Sequence, residues 1–313
     1  MLYRQSPQGF DLTPRHEWLL RELTIDDSGP GTILHDFDIL LAFIREREMS
    51  VTPMRQLRRR MLPEINERLT RPIQMGLNKP LQKSYPHIHG LYLLARASGL
   101  TFVEGTTKKP RLVVDDAVCQ VWRDLSPTER YCTLLETWLL RGHPEIIGER
   151  ERGWFGIPDT FNQLPWFFQR ISDEGLPVAG DKEVEDLIRY RPGWHNLGLL
   201  ELFGLIRIQT SPPEPGKGWR IERIGRTPFG DALLALLHAR FFVDSDNILA
   251  LESKDRVPFG VLQPTLQPYF AEWKTNLSIP EWAFREGAHV FKVTLWKGLW
   301  RRIAISADAA LDE

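Results

Sequence analysis

The sequence predicts a mainly α-helical α+β protein with small β-hairpins. Apolar residues recur every three or four positions through most of the chain, which is typical of helices with one buried face. Twice, such helices precede two short segments of alternating apolar and polar residues, joined by a loop rich in breakers, and this predicts a hairpin. Hydrophobic residues make up 42% of the chain and charged residues 26%, a balance typical of globular domains.

A polar N-terminal extension, residues 1–31, precedes the first predicted helix. It ends in the breaker cluster 26–31, which should terminate any element before it. Thr32 then suits an N-cap, and residues 33–44 carry one apolar stripe at helical spacing. We therefore expect the first domain, residues 32–150, to open with this helix.

Two more helices and a hairpin are predicted in the first domain. The second helix is expected to run from Thr52 to Leu69, kinked or divided by Pro63. The third is expected between Pro86 and Gly99, and residues 100–114 then read as a hairpin. Three helices followed by a hairpin is the order of a winged helix.

Two capped helices are expected to complete this first domain. Asp115 is placed to cap one of them, and Ser126 opens the other with Pro127 in its first turn. These capping signals are local, so they predict where the helices start without reference to the rest of the fold.

A second winged-helix-like domain of the same order is predicted over residues 151–240. Its elements are expected to be a helix over 161–171, a helix capped by Asp181, a helix over 194–203, a hairpin over 204–224 and a last helix after Thr227. The likeness to the first domain lies in the order of elements, so the two form a repeat of architecture.

The remaining residues are predicted to form a connector and an incomplete domain. Residues 241–287 contain four prolines among large apolar side chains, which predicts an ordered connector. Residues 290–296 and 300–305 alternate as two half-buried strands, the start of a C-terminal β-hairpin.

The C-terminal segment resembles a known family. It reads VFKVTLWKGLWRRIAISADAALDE, with the basic–aromatic group Trp300-Arg301-Arg302 between the strands and a helix start at 310–313. This resembles the opening of the plasmid pRiA4b ORF-3-like family, also called insertion-element passenger TnpR-like proteins. Residues 48–53 and 227–230 are similar to a winged-helix region that some members carry. The resemblance implies that residues 288–313 hold only the first strands of an α+β domain, and it implies no particular reaction.

Composition excludes several functional classes. Forty Lys and Arg against 41 Asp and Glu give a formal charge of −1, so no overall positive field favours nucleic acid. No apolar segment reaches the roughly 20 residues that cross a bilayer, and no secretory signal is evident. Cys119 and Cys132 lie in apolar helical surroundings, where a free thiol behaves as a small hydrophobe. We expect a cytoplasmic protein without a membrane partner.

A basic segment in the first domain is the main candidate for nucleic-acid binding. Between residues 45 and 83 there are ten Lys and Arg against four Glu, a local charge of +6. Within it, Arg55, Arg58, Arg59 and Arg60 are expected on the helix before the recognition helix, where phosphate contacts fall in helix-turn-helix docking. A solvated helix face is the alternative. On the expected recognition helix, Arg96 is a candidate reader, although no Asn or Gln there could pair with adenine.

The second domain offers a similar set. Arg189 and Arg191 are candidates for phosphate contacts, and His195 and Asn196 for contacts to base edges. Arg220 is expected on the wing. In the alternative interpretation, residues 194–196 only cap a helix.

No catalytic, metal or cofactor site is predicted. His87 and His89 are two positions apart, which puts them on different faces of a helix, and no Cys or carboxylate cluster completes a metal site. Nucleophile and phosphate-loop motifs are absent from the sequence. Active sites assembled from distant residues leave no such local pattern, so an enzymatic function stays open.

Two hypotheses follow from the sequence. The first is a non-enzymatic winged-helix protein that binds double-stranded DNA in a regulatory, plasmid or mobile-element setting. The second is a protein-interaction scaffold, which the C-terminal tryptophans at 273, 282, 296 and 300 favour. Neither hypothesis specifies the oligomeric state.

Overall fold

The structure is a computed structural model that describes residues 11–47, 49–106, 109–148, 160–242 and 260–270. Helices predominate in these ranges, and the strands form two small antiparallel sheets of three strands each. The predicted mainly α-helical α+β class is confirmed.

The first half of the chain combines helices with the first of the two sheets. Its elements are α1 Pro14–Glu22, α2 Ile33–Glu46, β1 Met49–Ser50, α3 Leu62–Arg68, α4 Pro86–Ala97, β2 Thr101–Glu104, β3 Arg111–Val114, α5 Asp116–Asp124 and α6 Pro127–Arg141. Short 3-10 turns at Arg59–Met61, Gln82–Ser84 and Pro144–Ile147 connect some of them.

The predicted helix starts are confirmed at α5 and α6. The Asp115 carboxylate accepts hydrogen bonds from the amides of Ala117 and Val118, and Ser126 forms a capping box with Glu129. Thr32 does precede α2, but its hydroxyl donates to the Asp36 carboxylate at 2.7 Å and caps no backbone amide.

The second helix predicted in this half, from Thr52 to Leu69, is wrong for its first ten residues. Residues 51–58 form a turn in which the Thr52 hydroxyl accepts from the Gln56 amide at 3.1 Å. The helix α3 begins only at Leu62, with Pro63 in its first turn, where a proline needs no hydrogen-bonded amide. The segment before this turn does not belong to the helix, because it lies in the first sheet, where Met49 pairs with Leu112.

The second half of the chain repeats the order of the first. Its elements are α7 Thr160–Gln169, β4 Leu176–Pro177, α8 Lys182–Tyr190, α9 Trp194–Leu202, β5 Ile206–Thr210, β6 Ile221–Arg226 and α10 Pro228–Leu237. The predicted caps are confirmed, since Asp181 accepts from the amides of Glu183 and Val184 and Thr227 accepts from the amide of Gly230.

The two sheets share one strand order. In the first it is β1-β3-β2 and in the second β4-β6-β5, and all pairs are antiparallel. In each sheet, one short strand precedes two helices in the sequence, and the other two strands form a hairpin that follows those helices. The order helix, strand, helix, helix, hairpin is that of a winged helix, and the chain contains it twice. The short strands β1 and β4 were not predicted because two residues show no alternation.

The third helices of the two repeats pack against each other. At their crossing, Gly90 of α4 lies against Leu199 of α9, and Gly198 of α9 lies against the Pro86 and His87 backbone of α4. A β-carbon added to Gly198 would meet the Pro86 carbonyl carbon at 2.9 Å. The buried apolar side chains of both repeats form one core cluster.

Segments outside the two repeats pack onto them. The helix α1, in the predicted N-terminal extension, packs against α10. Residues 260–270, with α11 at Gln263–Leu266, are fixed to α6, because the amides of Gly260 and Leu262 both donate to the Glu136 carboxylate at 2.8 Å. The predicted C-terminal strands at 290–296 and 300–305 lie outside the described residues.

Candidate nucleic-acid interface

Four exposed cations form what we call the basic ridge, namely Arg58, Arg59, Arg60 and Lys83. The Gln82 side chain accepts a hydrogen bond from the Leu57 amide, which places the 3-10 turn carrying Lys83 beside the start of the arginine segment. Among the described residues, none of these four side chains has an acidic partner. The ridge therefore keeps its positive charge available for another molecule.

Most other cations of the basic segment are neutralised by carboxylates. Arg47 and Arg68 both pair with Glu64, and Arg68 also contacts Glu46 at 3.0 Å. Arg45 lies 3.5 Å from Asp116. These pairs present little net charge to solvent. The unpaired positive charge of the segment is therefore confined to a smaller surface than the local charge of +6 in the sequence suggested.

Arg55 does not lie on a helix. It occupies the turn before the ridge with a φ of 59°, and its carbonyl accepts a hydrogen bond from the Tyr92 hydroxyl. Its backbone therefore links the turn to α4, and its partly exposed side chain borders the ridge. The sequence prediction that Arg55, Arg58, Arg59 and Arg60 share one helix is wrong, because the chain turns at Arg55 and the last two residues lie in a 3-10 turn.

The expected recognition helix of the first unit is inaccessible. All 12 residues of α4 are buried, which places the helix in the core and not in a DNA groove. Arg96 is only 2% exposed and donates to the Tyr92 hydroxyl at 3.3 Å. Arg96 is therefore not part of the candidate interface, because a duplex cannot reach it in this fold.

His195 and Asn196, which the sequence suggested for contacts to base edges, are also inaccessible to a duplex. Both are buried on α9, and the His195 ring contacts the His89 ring edge to face. The Asn196 side chain accepts from the Trp138 indole at 2.8 Å and donates to the Pro192 carbonyl at 2.7 Å. These contacts stabilise the helix pair and leave no edge for a base.

Of the remaining candidates in the second unit, Arg189 and Arg191 are exposed and Arg220 is partly exposed. Arg189 lies 3.4 Å from Asp186 on the same helix, and Arg220 pairs with Glu214 at the wing. Arg191 is exposed. Because two of these three cations already contact a carboxylate, this unit presents less available positive charge than the basic ridge.

Reactive groups of other kinds are buried. Burial raises the pKa of the Cys119 thiol to about 11 and places the pKa of the Cys132 thiol well above its usual value. Thiols in such surroundings are poor nucleophiles at neutral pH. Within the described ranges, no group of three or more His, Cys, Asp or Glu side chains is arranged to hold a metal ion.

A buried polar cluster between the repeats was not predicted from the sequence. Glu201 of α9 contacts the His87 ring nitrogen Nε2 at 2.9 Å and the Arg71 guanidinium at 3.2 Å. One signal for it was available, since Glu201 is the only charged residue of α9 and lies in its apolar stretch 197–202.

Comparison of the chain with protein-family models, with curated proteins and with solved structures finds no match. In the part of the chain that the structure describes, no helix is both long and apolar enough to span a bilayer.

Proposed function

We propose that this protein is a non-enzymatic, cytoplasmic tandem winged-helix protein that binds double-stranded DNA through phosphate contacts made by the basic ridge. The observation that carries the proposal is the group of four exposed cations without acidic partners among the described residues. Guanidinium and ammonium groups contact phosphate oxygens without reading the base sequence.

The mode of binding differs from that of a helix-turn-helix regulator. With α4 and α9 buried against each other, neither third helix can enter a major groove. The ridge lies on the turn before α3 and beside the turn before α4, where backbone phosphates can be met from outside the groove. We therefore propose binding with little dependence on base sequence, in the plasmid or mobile-element setting that the C-terminal resemblance implies.

Salt dependence is the first test of this proposal. Up to four neutralised phosphates give a slope of about −3.6 in a plot of log affinity against log salt concentration. Affinity for a random duplex of about 30 base pairs should then fall roughly 100-fold between about 50 and 200 mM KCl. Absence of binding at the lower concentration in a fluorescence anisotropy titration would overturn the proposal.

A triple variant tests the assignment of the ridge. Replacing Arg58, Arg59 and Arg60 by Ala should weaken binding to all duplexes at low salt and flatten the salt slope by about 3, since up to three phosphate contacts are lost. The matched control replaces Lys109, Arg123 and Lys182, three exposed cations elsewhere, by Ala. Equal losses in both triple variants would mean that net charge, and not the ridge, drives binding.

A protein-interaction scaffold is the second candidate function. The burial of both third helices favours it, because the winged-helix surfaces that normally read DNA are used here for contacts within the chain. Met54 and Leu81, 64% and 52% exposed, add apolar surface near the ridge. A protein that binds no duplex at low salt but keeps its fold would favour the scaffold.

A further inference from the structure

A cavity of about 380 Å³ opens where α1, α4, α9 and the start of α10 come together. Its volume falls within the range of small-molecule sites, about 300 to 1,000 Å³. The side chains of Leu19, Leu23, Ile206 and Phe229 contribute an apolar wall. The cavity lies apart from the basic ridge and shares none of its four residues.

One wall of the cavity is polar and built from buried groups. Glu201, His87 and Arg71 all line it, and the Glu201 carboxylate contacts both the His87 ring and the Arg71 guanidinium. His87 is 2% exposed, and among the described residues its second ring nitrogen, Nδ1, has no hydrogen-bond partner. Because a carboxylate only accepts hydrogen bonds, the proton lies on Nε2, which leaves Nδ1 of a neutral ring as an unused acceptor.

The backbone around the cavity is fixed by a second buried carboxylate. Asp36 is fully buried and accepts from the Thr70 amide at 2.7 Å, from the Thr70 hydroxyl at 2.8 Å and from the Thr32 hydroxyl. Thr32 lines the cavity, and Thr70 precedes Arg71. The site is therefore held in shape without a ligand, which is typical of a binding pocket.

The charges around the cavity favour an anion. Arg71 and Arg207 both line it, against the single carboxylate of Glu201, so the wall carries an excess of one positive charge. Arg71 uses one guanidinium nitrogen for Glu201 and is 62% exposed, and Arg207 is exposed without an ion-pair partner among the described residues. Guanidinium groups bind carboxylates by charge-assisted hydrogen bonds.

We propose that this cavity binds a small organic monocarboxylate with an apolar body. The carboxylate lies between Arg71 and Arg207, and the apolar body contacts the wall formed by α1, β5 and Phe229. The Nδ1 atom of His87 accepts a hydrogen bond from a hydroxyl group of the ligand or from a water molecule bound with it. This site is independent of the proposed DNA interface.

The test uses octanoate as the probe and 1-octanol as its uncharged counterpart, measured by isothermal titration calorimetry with the full chain. Octanoate should bind at one site, and 1-octanol should bind at least about tenfold more weakly, since it lacks the charge that the arginines recognise. No binding of octanoate, or equal affinity for both compounds, would overturn the proposal.

Two variants assign the site. Arg207→Gln changes an exposed side chain, leaves the core intact and should weaken octanoate binding about tenfold while leaving 1-octanol unchanged. Leu23→Trp should fill the cavity and reduce binding of both compounds. Arg58→Gln, on the basic ridge, is the matched control and should change neither. If Arg207→Gln binds octanoate as the unmodified protein does, the assignment of the cavity is wrong, whatever the result for DNA.

Discussion

At the scale of single residues, Asn196 shows how one buried amide joins separate parts of the fold. It contacts Trp138 of α6, Pro192 before α9 and, at 3.0 Å, the Thr160 hydroxyl of α7. The side chain therefore satisfies buried donors and acceptors from three elements. Its role explains why an amide that resembled a base-reading residue in the sequence is held in the interior.

Truncation of this side chain should be costly. Asn196→Ala leaves the Trp138 indole and the Pro192 carbonyl without partners in the interior, so we expect the free energy of unfolding to fall by about 3 kcal/mol. The free energy of unfolding is measured by urea denaturation, with tryptophan fluorescence as the signal. The nearby exposed variant Arg191→Ala should lie within about 0.5 kcal/mol of the unmodified protein. Similar values for the two variants would contradict the role assigned to Asn196.

At the scale of elements, the crossing of α4 and α9 depends on glycine. Gly198→Ala gains helix propensity worth about 1 kcal/mol, but its β-carbon would overlap the Pro86 carbonyl carbon and the His87 amide of α4. Backbone atoms cannot move aside as a side chain can, so we expect a net loss of about 1 to 3 kcal/mol in unfolding free energy.

A second glycine variant controls for this effect. Gly225→Ala in β6 meets no atom within 4 Å and lies outside the left-handed region of backbone conformation. It should leave the midpoint of urea unfolding nearly unchanged. If Gly198→Ala stabilises the protein, the helices are not as closely packed as described here.

At the scale of the whole molecule, the burial of the Glu136 carboxyl beneath residues 260–262 predicts that stability depends on pH. Burial raises the pKa of the Glu136 carboxyl from 4.5 to about 7, although the Leu262 and Gly260 amides act to lower it. The folded state thus binds this proton more tightly than the unfolded chain does. The contribution of this group to stability is fully present below pH 4.5 and is lost as the pH rises to about 7.

Ionisation of Glu136 should therefore lower the free energy of unfolding by about 1.4 kcal/mol for each pH unit between its unfolded and folded pKa values. Glu136→Gln cannot titrate, and urea unfolding at pH 5 and pH 7.5 should show a smaller decrease for the variant than for the unmodified protein. Parallel pH profiles for both proteins would place the pH dependence in other groups.

The elements that sequence could predict are those specified locally. Asp115, Ser126, Asp181 and Thr227 each start a helix because the capping side chain and its amide partners are at most three positions apart in sequence. Arg58, Arg59 and Arg60 could be singled out for a similar reason, because they are consecutive in the sequence.

The buried position of the third helices could not be predicted in the same way. It depends on contacts between α4 and α9, about 100 residues apart in sequence. The pattern of α4 did contain a sign of it, because apolar residues surround the helix and Arg96 is its only formally charged side chain. The cavity and its Glu201 cluster likewise join residues from distant segments, and no local motif marks them.

The contact between α4 and α9 makes the two repeats depend on each other structurally. Each helix provides the surface that shields the other from water, so neither repeat can be lost, exchanged or shortened at its third helix without damaging its neighbour. Because each repeat completes the hydrophobic core of the other, neither is an autonomous structural unit.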